Sequence, residues 1–431
     1  LQYSKKRIAV NRKFYLAICA VLSATLASAQ TPDIFSVVAC PGEDVSHSVN
    51  ISWGADSASR DSYVIYTPVR DRDWKRAERV YPVQRFCTTY DSVYSKNAAG
   101  ENFYEMVRFN KCDASLTGLR SDTEYKYRVV SGEGSSSEHR FKTAGDKRWS
   151  VCLISDYHCY PPLPARLETA MGMIETVREY DPEIDWILHL GDVCAWGGSY
   201  SFWRGMYEEK PFADYMWAGV NGNHDNMTRN YRLTNEFFRD AAFYPRNGYE
   251  GEEGVCYHFR YGDVLFIMLN SEDMRSDEGL AAARKWVREV IEQNPARYTV
   301  VCEHYQWFFG QDGNSSQYSR WSDLFDELGV DLALAGNNHI YVRSYPVLGG
   351  EVTDGSSGTV YVQTPSSDNE RGAASMGEIE HNEELIASRW FEGPKTVGAV
   401  HMSVSPKEMV LTLLDRNGTV LDTVSVKAKR K

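Results

Sequence analysis

Met216-Trp217-Ala218-Gly219-Val220-Asn221-Gly222-Asn223-His224-Asp225 is an apolar run that stops at a glycine-centred polar cluster. A short run of this kind fits a strand buried on both faces. Gly222 allows a tight turn that aims Asn223 and His224. Four more runs repeat the pattern. Val151 to Ser155 leads into Asp156-Tyr157-His158, and Trp186 to Leu190 into Gly191-Asp192. Tyr298 to Cys302 leads into Glu303-His304, and Leu332 to Ala335 into Gly336-Asn337-Asn338-His339. Amphipathic helical patterns lie between the runs: Leu167, Met171, Ile174 and Val177 share one face, and Leu280, Ala283, Trp286, Val287, Val290 and Ile291 another. Helices alternating with buried strands imply an α/β layered fold with the sheet inside. Ligands in such folds sit beyond the carboxyl ends of the strands, so the five polar clusters are expected to meet there.

Asp-x-His or Gly-Asp alone recurs in unrelated chains. Gly-Asn-His-Asp is more specific, and the order of all five clusters carries the argument. In that order they resemble the calcineurin-like metallophosphoesterase superfamily, and most nearly its purple acid phosphatase branch, which also carries a fibronectin-like N-terminal domain. The resemblance covers nearly the whole chain beyond residue 30. It implies an α/β (α+β) four-layer sandwich of β-sheets flanked by helices, with two divalent or mixed-valence metal ions (Fe, Zn or Mn) side by side at the strand ends. By that resemblance Asp156, His158, Asp192 and His339 hold the first ion, and Asp192 bridges to a second held also by Asn223 and His304. Carboxylate, imidazole and amide oxygen suit hard or borderline cations.

The chemistry implied is hydrolysis of a phosphate ester, with two cations about 4 Å apart polarising the phosphoryl group and activating a water. His224 resembles the histidine that contacts phosphate and assists the leaving group as an acid. Asp225 either orients His224 through a ring nitrogen or caps a helix N-terminus. A small phosphomonoester is the favoured substrate. The alternatives are a phosphodiesterase or nucleotide hydrolase on the same site, or a binding or adhesion protein with a degenerate metal site. Two departures bear on the metals. Ala195 stands where the purple branch has a tyrosine ligand, while His158 supplies an imidazole that branch lacks, so no tyrosinate–iron chromophore is expected. Asn337 stands where the superfamily usually has a histidine for the second ion, so that position is expected to be weaker. His47, His139, His189, His258 and His401 read as structural.

The chain of 431 residues is long enough for two domains, and its 42% hydrophobic content predicts packed cores. Its formal net charge of −12, with no basic stripe outside the termini, argues against nucleic-acid binding. Lys5, Lys6, Arg7, Arg12 and Lys13 precede an apolar stretch from Phe14 to Leu26, and Ala27-Ser28-Ala29 fits a leader cleavage site before Gln30. Residues 1–29 therefore read as a signal peptide, giving a secreted or periplasmic protein, and no later run is long and apolar enough to span a bilayer. Residues 30–145 read as an all-β unit. Leu119 precedes a turn and Tyr125, Tyr127 and Val129 alternate along a strand, which resembles a fibronectin type III module. It serves as a spacer or as a wall beside the site. Ala144-Gly145-Asp146-Lys147 reads as a linker, and residues 146–431 as the metallophosphoesterase domain. The eight cysteines beyond Cys19 read as small buried hydrophobes with room for one or two bridges. Trp307 to Gln311, with Trp196, Tyr200 and Trp203, are aromatic candidates for a pocket wall or for packing.

Overall fold

The computed structural model describes residues 34–56, 60–96, 102–160, 164–210, 214–226, 236–308, 317–368, 382–393 and 396–428. The expected leader, and residues 309–311 of the second aromatic stretch, lie outside the described residues.

Nine strands come first: β1 (Ile34–Pro41), β2 (Ser48–Ala55), β3 (Tyr63–Pro68), β4 (Glu78–Val80), β5 (Val83–Lys96), β6 (Asn102–Thr117), β7 (Glu124–Ser131), β8 (Gly134–Ser135) and β9 (His139–Lys142). β7 buries Tyr125, Tyr127 and Val129 on one face, as their alternation predicts. The Tyr125 hydroxyl accepts a hydrogen bond from the Arg120 amide at 3.0 Å, which pins the turn ahead of the strand. Val49, Ile51 and Trp53 of β2 share a core with Tyr127, Val129 and Phe141.

The rest alternates. β10 (Trp149–Ile154), α1 (Pro164–Tyr180), β11 (Trp186–His189), α2 (Tyr200–Glu208), β12 (Met216–Gly219) and α3 (Glu236–Ala241) come in turn. Then follow β13 (Tyr257–Tyr261), β14 (Val264–Met268), α4 (Asp277–Gln293), β15 (Tyr298–Cys302), α5 (Tyr318–Leu328) and β16 (Leu332–Ala335). The chain closes with β17 (Tyr341–Ser344), β18 (Val347–Leu348), β19 (Glu351–Val352), β20 (Val360–Gln363), β21 (Ile386–Trp390), β22 (Gly398–Val404), β23 (Glu408–Asp415) and β24 (Val420–Lys427).

A seven-stranded sheet runs β13-β14-β15-β16-β20-β17-β21, and a ten-stranded sheet runs β24-β23-β22-β10-β11-β12-β1-β2-β6-β5. The larger sheet crosses the expected domain boundary, because β1 pairs in parallel with β12 through Ala39 and Met216. The expected linker is packed as well: Ala144 is buried and its amide donates to the Val45 carbonyl.

Pleating divides the smaller sheet between two cores. Val264, Phe266, Met268, Val300, Leu332 and Leu334 share the core of Leu153, Trp186 and Leu188 in the other sheet. Leu265, Ile267, Val301 and Ala333 instead share that of Val287, Trp321 and Leu324 on α4 and α5. Two sheets lie inside and helices outside, as expected. One helical face is rotated from its expected position. α1 buries Arg166, Ala170, Met173, Ile174 and Val177, while Leu167 and Met171 are only half-buried. Arg166 is drawn inward, 3.6 Å from the Asp368 carboxylate and 3.4 Å from the His158 carbonyl, which an apolar pattern cannot reveal.

Candidate metal centre

The five strands named by their apolar runs are buried along their whole length. β10, β11 and β12 are parallel neighbours in one sheet, and β15 and β16 in the other. Their carboxyl ends converge, and the chain leaves them in sharp turns. Asp156 (φ 54), His158 (φ 44), Asp192 (φ 54), Asn337 (φ 71) and His339 (φ 60) all adopt the left-handed region. Only four other non-glycine residues do so among the described residues. Each such residue costs on the order of 1 kcal/mol and persists where its surroundings over-determine it. Two glycines let the turns stack. A Cβ on Gly191 (φ +92) would lie 2.4 Å from the His304 Nδ1, and one on Gly222 would lie 2.3 Å from Asp192 Oδ1.

The turns bring the polar side chains together. Asp192 divides its carboxylate: Oδ2 lies 3.2 Å from His158 Nε2, and Oδ1 lies 3.3 Å from His304 Nε2. Oδ1 also accepts from the His224 amide at 2.8 Å. Asp156 Oδ1 lies 3.6 Å from His339 Nε2 and 3.9 Å from His304 Nε2. Asn223 joins through its Oδ1, 3.2 Å from His304 Nε2. Three sets place candidate ligand atoms within 4.8 Å of one another: Asp156 with His158 and His339, Asp156 with Asp192 and His304, and Asp192 with His158 and His224.

Backbone carbonyls select the histidine tautomers. His158 Nδ1 meets the Asp156 carbonyl at 2.9 Å, His304 Nδ1 the Leu190 carbonyl at 2.7 Å, and His224 Nδ1 the Ala195 carbonyl at 2.9 Å. A carbonyl can only accept, so each Nδ1 carries the hydrogen and each Nε2 lone pair is turned inward. Asp156 Oδ1 is buried without a hydrogen-bond donor. An orphaned carboxylate oxygen among inward lone pairs is expensive unless a cation completes the set. The residues present therefore fit metal ions.

In the metal-free chain a proton occupies His304 Nε2, and an ion binding there would have to displace it. Burial opposes charge on His304, but Asp192 and Asp156 outweigh it and push the imidazole up to about 10. Burial likewise works against the Asp192 carboxylate, yet His304 and His224 hold it well below the usual carboxylate range. Burial pushes Asp156 up and holds His158 well below the ordinary histidine range. The pocket concentrates negative charge that positive neighbours must balance.

The remaining expectations sort themselves by contact. Asp225 is buried, with Oδ1 accepting from the Cys194 amide at 3.0 Å and Oδ2 from the Gly222 amide at 2.9 Å. It ties the Asp192 and His224 loops together, whereas the His224 ring is oriented by the Ala195 carbonyl. Neither ring orientation nor helix capping is among these contacts. Asn337 donates its amide N–H to Asp156 Oδ2 at 2.9 Å, and its side-chain NH2 to Gln306 Oε1. Gln306 belongs to no motif and escaped the sequence reading. Tyr200, Trp203, Trp307 and Phe308 are core residues, so packing accounts for them. Half-buried Trp196 stands with its ring 6.0 Å from that of His224. His401 bonds Asp181 at 2.8 Å on a strand of its own. All eight described cysteines are buried and free, so the allowed bridges are absent among the described residues.

Comparison with known proteins follows the same division. The calcineurin-like phosphoesterase family model matches residues 150–341, and that of the purple acid phosphatase N-terminal domain matches residues 35–143. Two uncharacterized proteins of Mycobacterium tuberculosis, from strains CDC 1551 and H37Rv, are each 26% identical over 281 residues, or 58% of this chain and 53% of the relative. The chain thus spans about half the length of the curated relatives it matches. Among solved structures, purple acid phosphatase PPD1 from yellow lupin (Lupinus luteus) seeds is similar with a TM-score of 0.72 at 16% identity, covering 92% of this chain and 75% of that one. PhoD is similar with a TM-score of 0.54 at 15% identity, covering 94% of both chains. At such identities the structures speak for the fold alone. The chain carries a calcineurin-like phosphoesterase domain over residues 150–341, with a purple acid phosphatase N-terminal domain over residues 35–143 ahead of it.

Proposed function

We propose that this chain is an exported phosphoesterase that hydrolyses a small phosphate ester, a monoester in preference to a diester, at a dinuclear metal centre. The observation that carries the reading is the division of Asp192 between His158 and His304, beside the orphaned Asp156 Oδ1. His158 and His339 would hold one ion with Asp156, Asn223 and His304 the other, and Asp192 would touch both. When bound, two such ions supply electrophilic stabilisation of the phosphoryl group and acidify a water.

The chain's own residues do the rest. Asp225 fixes the two loops that carry Asp192 and His224. The Ala195 carbonyl holds the His224 Nδ1 hydrogen, leaving Nε2 to hold a proton for the leaving-group oxygen. Trp196 offers a ring beside that position for an organic leaving group. Ala195 has no phenol, and Tyr157 directs its hydroxyl to the Met206 sulfur, so neither position offers iron a tyrosinate. Export rests on the basic and apolar character of residues 5–29. Among the described residues, no helix is long and apolar enough to cross a membrane.

The test is metal analysis of the purified chain with a panel of aryl and alkyl monoesters, diesters and nucleotides under Mn²⁺, Zn²⁺ or Fe²⁺. Metal-dependent monoester turnover is expected. Two bound ions with no turnover on any ester would favour a binding protein built on the same frame.

A further inference from the structure

The N-terminal domain holds a cleft of about 650 Å³ that shares no residue with the cluster at the strand ends. β3, the loop that follows it and the corner leading into β7 form its walls. Arg70, Arg72 and Arg76 line it from the loop, and Arg120 lines it from the corner. Elsewhere on the surface arginines find carboxylates: Arg178 meets Glu175, Arg288 meets Glu327 and Arg297 meets Asp263. Among the described residues, the four guanidiniums of the cleft have neither an ion pair nor a hydrogen bond. The carboxylates beside them are already committed. Asp71 accepts from the Thr67 hydroxyl at 2.9 Å and from the Lys75 and Arg76 amides at 3.2 and 2.7 Å. It thereby staples the loop on which three of the arginines stand. Asp73 pairs with Lys75 at 3.0 Å, and Glu78 accepts from the Tyr66 hydroxyl at 3.0 Å. The Tyr125 hydroxyl fixes the backbone of the fourth arginine by accepting from the Arg120 amide, and it retains its own hydrogen to donate. The sequence conceals this patch, because Asp71 and Asp73 interrupt its basic residues in a chain of net charge −12.

We propose that this cleft is a binding site for a ligand carrying two or more phosphate groups, separate from the strand-end cluster. Four guanidiniums in one concavity exceed what a single small anion neutralises. A phosphate monoester carries roughly −1.5 to −2 near neutral pH, so two or three such groups balance the four arginines. Guanidinium forks match phosphate oxygens bidentately. A volume of about 650 Å³ is that of an ordinary small-ligand site. The N-terminal domain is then a recognition module, which holds a multiply phosphorylated molecule on the same chain as the phosphoesterase domain.

The experiment is titration calorimetry of the full chain with inorganic tripolyphosphate, with orthophosphate and a heparin tetrasaccharide as comparisons. A tripolyphosphate site of equal affinity is expected in the unmodified chain and in Asp192→Asn, which separates the cleft from the strand ends. Arg76→Gln should weaken that site roughly tenfold, the scale of one charged hydrogen bond. Arg70→Gln, Arg72→Gln, Arg76→Gln and Arg120→Gln together should abolish it. These four side chains are exposed, so the thermal midpoint of the combined variant should not move. Orthophosphate should bind roughly tenfold more weakly than tripolyphosphate, or worse, because it engages fewer of the arginines. Tripolyphosphate binding that survives the combined variant, or that disappears in Asp192→Asn, overturns the proposal. So does orthophosphate that binds as tightly as tripolyphosphate, and so does a tetrasaccharide that binds as tightly, which would make the cleft a site for sulfated glycans. Any of these failures leaves the proposed phosphoesterase reading standing, since that reading is tested by metal content and turnover at other residues.

Discussion

The turns at the strand ends and the corner between β6 and β7 both depend on unusual backbone and buried polar groups, yet they balance them differently. At the corner, Gly118 takes φ +68 with open space around it, Asp122 takes φ 46, and the Tyr125 hydroxyl is paired with the Arg120 amide. Deeper in the same unit, Lys111 lies 3.1 Å from Asp113, and Ser52 bonds both. Each of these charged groups has a partner of its own. At the strand ends five strained residues crowd together and Asp156 Oδ1 has no donor. The first region pairs its buried charges within the protein, whereas the second leaves a buried carboxylate oxygen open, as the proposed metal centre requires.

The comparison breaks most sharply at Asp192. Asp192→Asn removes the charge both histidine groups share, so the purified variant should lose most of its metal and drop in turnover by roughly 10³-fold. Wild-type-like turnover would mean the two halves do not share a ligand. Next in size is a matched pair of glycine substitutions. Gly191→Ala meets the His304 ring as well as a positive φ, so it should cost ~2–3 kcal/mol in denaturant unfolding and lower metal content. Gly118→Ala meets only the positive φ and should cost ~1 kcal/mol with metal content intact. Equal costs would erase the distinction between the regions.

Titration sharpens it further. The folded value for His304 is raised to about 10, against about 6.5 for a free histidine. Its contribution to stability is therefore full below about 6.5 and is lost as pH rises toward about 10. The metal-free protein should show a thermal midpoint that falls over this window. Metal affinity should rise over the same window, because ions compete with that proton. A midpoint flat with pH in the metal-free protein would show that His304 is not paired as described. The smallest effect belongs to the corner: Tyr125→Phe deletes one hydrogen bond and should cost ~1 kcal/mol without changing metal content or turnover.

Much of the phosphoesterase domain was legible because strands buried on both faces are continuous apolar runs, and all five carry their polar cluster immediately after the run. What stayed hidden depends on partners distant in the chain. Asp225 resembles a ring-orienting carboxylate until the Cys194 amide is seen beside it. Arg166 sits on an inner helix face because Asp368 lies opposite. Gln306 has meaning only next to Asn337. The tyrosine alternation of β7 was readable locally, but the parallel seam between β1 and β12 was not, since no pattern in either strand names the other.

That seam has a consequence for how the chain is made. Synthesis runs from the N-terminus, so β1 emerges long before Met216, its partner across the seam. Until then β1 has only β2 on one side, and its other edge offers unpaired backbone groups to any strand nearby. Non-local pairing is slow to form and exposes such edges meanwhile. The N-terminal unit is therefore a poor candidate for expression alone. A fragment ending before β12 should aggregate, and in the cell the nascent chain should need a holding chaperone until the seam closes.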